Sequence, residues 1–63
     1  MKIEISDKYA MDLAYFCKRA TFDDAYERAH GETEEKHEAM AYRILRSLNE
    51  IEQSLRKAGY SPR

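Results

Sequence analysis

The stretch Glu34–Ala58, EEKHEAMAYRILRSLNEIEQSLRKA, carries His37, Ala41, Ile44, Leu48, Ile51, Leu55 and Ala58 at alternating steps of four and three. That spacing is the seam of a helix that packs along its whole length against other helices. Both ends have helix chemistry. Thr33 is placed to cap the first turn with its hydroxyl. Glu34, Glu35 and Glu38 lie where the positive end of the helix dipole favours anions, and Arg56 and Lys57 lie where the negative end favours cations. Gly59 is a natural left-handed residue just past the end, which would fold Tyr60 back onto Leu55, and Pro62 stops any continuation. A helix over residues 34–58 follows, flanked by Met40 and Leu45 and by the small Ser47 and Ser54.

The rest of the chain must supply what this seam packs against. At the N-terminus, Met1, Ile3 and Ile5 alternate with Lys2 and Glu4, the period of a half-buried strand over residues 2–6. No second stretch has that period, and a lone strand leaves its backbone groups unpaired. Pairing with the same strand of a second copy, antiparallel across a twofold axis, solves the problem; a frayed terminus is the alternative. Residues 7–30 then read as helix. From Tyr9 to Ala20 the apolar positions Tyr9, Ala10, Leu13, Phe16, Cys17 and Ala20 share one face. Met11, Tyr15, Phe22 and Tyr26 form a second stripe, and the apolar face switches near Thr21. Either the helix kinks or restarts at 21–23, or one continuous helix shows different faces to two neighbours; Thr21 with Asp24 three residues on is a variant of the capping box and supports a local irregularity. Gly31 is a natural end to this segment and links it to the long helix as an antiparallel hairpin.

The expected fold is therefore a single mainly α domain. It consists of a short N-terminal strand and a helical hairpin, intertwined as a homodimer through an intermolecular strand pair. Ile3, Ile5, Leu13, Phe16, Ile44, Leu48, Ile51 and Leu55 form the core and dimer seam. The stripe Met11, Tyr15, Phe22 and Tyr26 either is buried by the dimer or stays open as a groove for a partner helix. Length supports the dimer, since a chain of 63 residues is near the lower limit for folding alone.

Composition narrows the function. One cysteine excludes an internal disulfide, and no segment reads as a signal peptide or a membrane span, so a cytoplasmic chain is expected. A net charge of −1 with 37% charged residues argues against non-specific nucleic-acid or acidic-membrane binding. Glu34 and His37 have the spacing of a di-metal helix motif, but no inward glutamate on the first helix completes it, so no metal or other cofactor is expected. Cys17 sits in mid-helix with no histidine near it in sequence, and two glycines cannot make a phosphate loop. These features point to a non-enzymatic protein. Arg43, Arg46 and Arg56 hint at a DNA-binding or transcription-modulating dimer, but Glu50 and Glu52 interrupt them. The tyrosines suit a protein-binding surface better.

MKIEIS, LAYFCKR in the first helix, a long second helix and the tail GYSPR, in this order within 63 residues, resemble a family of lambdoid phage early proteins. Its members are encoded by an open reading frame between the exonuclease and excisionase genes. The resemblance covers the whole chain, although Lys18-Arg19 and Gly59–Arg63 are its only distinctive strings. It implies a dimeric strand-plus-two-helix fold and a role in early lytic development that favours lysis over host survival. Taken with the tyrosine-bearing surface, the expected activity is binding of a host or phage protein, in the cytoplasm of a bacterial host. It carries over no catalytic residues.

Overall fold

The computed structural model describes residues 2–62, which form three helices: α1 (Asp7–Arg19), α2 (Phe22–Arg28) and α3 (Glu34–Lys57). The fold is mainly α. Residues 2–6 form no strand, and Met1, the first residue of the expected alternating run, lies outside the described residues. Ile5 has a place within its own chain. It packs against Ala10, Ala14 and Leu55 within its own chain, so one of the two isoleucines already has a core position. Ile3 has none and is 65% exposed.

The segment over 7–30 is two helices, the restart near Thr21 being the alternative that the structure shows. Ala20 and Thr21 are both extended, and Thr21 begins α2 with a complete capping box. Its hydroxyl accepts the Asp24 N–H at 3.4 Å, while the Asp24 carboxylate accepts the Thr21 N–H at 3.0 Å. Two otherwise orphaned donors are satisfied at once, which makes a restart here inexpensive. The restart resets the helical phase. It turns Ala25, Ala29, Phe22 and Tyr26 toward α3, where continuation of α1 would have carried them off the buried face.

α1 packs on the C-terminal half of α3 and α2 on its N-terminal half. At one end Ala10, Ala14 and Leu55 meet, with Leu13, Ile51 and Tyr60 around them. At the other, Ala25, Ala29 and Ala41 meet, with Phe22, Tyr26, Met40, Ile44 and Leu45 around them. Leu48 lies between the two clusters, half-buried. The buried set is Ala10, Ala14, Cys17, Ala25, Ala29, Ala41 and Leu55. It contains no aromatic ring. Phe16, assigned to the core by periodicity, is 59% exposed, and Tyr9, placed on the same face, is 57% exposed.

Helix ends follow the sequence closely. Thr33 accepts the Lys36 N–H at 3.2 Å, and α3 closes at Ala58 with Gly59 at φ +102°. The Tyr60 N–H donates to the Leu55 carbonyl at 2.8 Å and the Gly59 N–H to Arg56 at 3.0 Å, the paired bonds of a Schellman ending. Gly31 has a different role from the one its position suggests. α2 ends earlier, at Arg28, and Gly31 has no positive φ. A Cβ at Gly31 would lie 2.5 Å from the backbone nitrogen of His37, so glycine is required where the loop crosses the first turn of α3. Gly31→Ala should accordingly lower stability by about 1–3 kcal/mol, the usual range for forcing an atom into filled space. Thermal unfolding followed by circular dichroism measures it, and an unchanged melting temperature would contradict the close approach.

Candidate functional site

The most distinctive surface is the outward face of α1. The helix turns its smallest side chains inward, with Ala10, Ala14 and Cys17 at i, i+4 and i+7 all buried. Larger side chains are displaced to both flanks: Tyr9 and Phe16 on one, Met11 and Tyr15 on the other, all exposed. Lys8 stands 5.0 Å from the centre of the Tyr9 ring, and the Arg19 guanidinium 4.9 Å from that of Tyr15. Aromatic rings beside cations on one exposed helix are the residue types that anchor protein interfaces.

The expected stripe Met11, Tyr15, Phe22 and Tyr26 is therefore split by the break at Thr21. Met11 and Tyr15 stay on the surface of α1. Phe22 and Tyr26 are half-buried against α3. Phe22 lies 4.7 Å from the Tyr42 ring, and Tyr26 stacks flat on His37 at 4.0 Å. The His37 Nε2 also lies 2.7 Å from the Tyr26 carbonyl; since a carbonyl only accepts, Nε2 carries the proton. His37 is thus a joint between α2 and α3. Among the described residues no three His, Cys, Asp or Glu side chains converge on a point that could hold a metal.

The C-terminal tail reinforces α1. The Tyr60 hydroxyl donates to the Asp7 carboxylate at 2.7 Å, and the Lys18 ammonium donates to the Pro62 carbonyl at 2.7 Å. The first bond raises the Tyr60 pKa above its ordinary value, because the phenol proton is held by an acceptor. Arg63, which ends the GYSPR string, lies outside the described residues.

Two open clefts flank this architecture. One, about 600 Å³, is lined by His30, Glu32, Lys36, Met40 and Arg43. The other, about 220 Å³, lies at the α1–α2 elbow, where Phe16 and Ala20 are ringed by Arg19, Asp24, Glu27 and Arg28.

Of the α1 face read from periodicity, Ala10 and Cys17 are buried and Leu13 packs against the core, while Tyr9 and Phe16 are exposed. Ala14, which that face leaves out, is buried together with Ala10 and Cys17, and these small side chains occupy the helix interface from which Tyr9 and Phe16 are displaced. Asp12 and Arg19, seven residues apart on the outward face, were likewise not distinguished from ordinary solvated charges.

A family model matches residues 1–63, and the chain belongs to that family, a family of unknown function (DUF7706). No curated protein and no solved structure matches it. No helix among the described residues is long and apolar enough to cross a membrane.

Burial, and secondarily the nearby Glu52 carboxylate, pushes the Cys17 thiol above its ordinary pKa. Little thiolate forms near neutrality. Alkylation at pH 8 should be more than about tenfold slower in the folded protein than in denaturant. Equal rates in the two conditions would show that Cys17 is not held between the helices.

Proposed function

We propose that this DUF7706 protein is a non-enzymatic homodimer that acts by binding another protein, a host or phage factor, as an accessory in early lytic development. The observation that carries the reading is its surface. The chain exposes 5501 Å². A compact folded chain of its mass, 7.4 kDa, exposes about 4200 Å². The excess, about 1300 Å², is of the size that one partner buries in a substantial protein interface, for which about 800 Å² per side is standard.

Shape supports the same reading. The radius of gyration is 13.0 Å, against about 11 Å for a compact chain of this length. The Cα extents are 39 × 26 × 16 Å, those of a thin slab. Helical layers gain most of their stability from a second layer that covers the exposed apolar side. A small chain whose buried set is five alanines, one cysteine and one leucine has little core of its own.

The arm over residues 2–6 is where an intermolecular strand pair would form. With Ile5 seated on the chain's own core, only Ile3 remains to support it, and most of the unpartnered apolar side chains lie on α1. The lytic role and the host-cytoplasmic setting rest on the resemblance carried by LAYFCKR and GYSPR.

Sedimentation at micromolar concentration should give twice the 7.4 kDa chain mass. Expression in a bacterial host before induction of a lambdoid prophage should shift the time of lysis. A Phe16→Ser/Tyr15→Ser variant should remain helical yet be monomeric and lose the shift. A wild type that sediments as a monomer would overturn the homodimer, and unaltered lysis with the wild type would overturn the accessory role.

A further inference from the structure

The outward face of α1 is self-complementary. Asp12 and Arg19 are seven residues apart, so they lie within about 20° of one line along the helix, separated by about 10 Å. Tyr15 and Phe16 lie midway between them, one on each side of that line by helical arithmetic. All four are exposed, and Asp12 makes no ion pair among the described residues. A twofold axis perpendicular to the helix, passing between residues 15 and 16, exchanges the two ends of this face. It brings Asp12 opposite Arg19 of a second copy and Tyr15 opposite its Phe16, and then repeats both contacts in reverse.

We propose that α1 pairs antiparallel with α1 of a second copy through this face. Two Asp12–Arg19 ion pairs bracket a central cluster of two Tyr15 and two Phe16 rings. The occupant is a second copy because the charges match under that single operation and because the excess surface is of interface size. Arg19 is already held over the Tyr15 ring, which keeps its guanidinium on this face before pairing. The two N-terminal arms then lie at opposite ends of the dimer, so this contact replaces an arm-to-arm strand pair.

The inference rests on the homodimer proposed above and assigns its interface. A charge-swap series in analytical ultracentrifugation tests it, using the full chain with helicity recorded for each variant. Asp12→Arg and Arg19→Glu each set like charges opposite one another twice, and each should weaken self-association by about tenfold or more. The double variant Asp12→Arg/Arg19→Glu should recover wild-type dissociation, and so should an equimolar mixture of the two single variants. A merely structural role for either residue would not give recovery in the mixture. If the wild type is dimeric and the single variants associate as it does, or if neither the double variant nor the mixture recovers, the α1 interface is wrong while the homodimer stands. If the wild type is monomeric, both fall together.

Discussion

Five alanines mediate the approach of α1 and α2 to α3, and most of the molecule follows from their size. Small side chains permit close backbone approach between helices, but they leave no room between them for an aromatic ring. Once Ala10 and Ala14 take the interface with α3, Tyr9, Phe16, Met11 and Tyr15 are displaced to the flanks of α1. Once Ala25 and Ala29 do the same against Ala41, Phe22 and Tyr26 close over the sides of that contact. The interior is close and thin, and the larger apolar groups lie around it.

That distribution connects the fold to association. A core made of methyl groups contributes little, since burial scales with apolar area, about 25 cal/mol per Å². The isolated chain therefore keeps much of its hydrophobic driving force unspent on its surface. Local devices do what they can: a capping box at Thr21, an N-cap at Thr33, a Schellman ending at Gly59 and two tail contacts from Tyr60 and Pro62. Each is worth on the order of 1 kcal/mol or less. They define where helices begin and end; the exposed face of α1 offers a larger gain to a partner that covers it.

The break at Thr21 gives the two halves of the segment different surroundings. Had α1 continued, Met11, Tyr15, Phe22 and Tyr26 would have formed one stripe. The capping box interrupts it after Tyr15, so that Phe22 and Tyr26 serve the intrachain core and the His37 joint while Met11 and Tyr15 remain outside. A surface patch is thus confined to α1, together with Ile3 on the arm and Tyr42 beside Phe22.

Much of this was legible in the sequence. The four-three repeat of Ile44, Leu48, Ile51 and Leu55 determined α3, and Thr33 and Gly59 determined its ends, because capping depends on a residue and its immediate neighbours. The capping pair Thr21 and Asp24 marked the irregularity for the same local reason. Three things were decided only by tertiary structure. Which part of the apolar face of α1 turns inward depends on how closely α3 can approach: Ala10, Ala14 and Cys17 are buried with Leu13 beside them, and Tyr9 and Phe16 are left outside. Gly31 is needed for an approach between segments distant in space, which no dihedral preference announces. Ile5 packs on the Ala10, Ala14 and Leu55 cluster, because the end of α3 comes within reach only after the chain has folded back on itself.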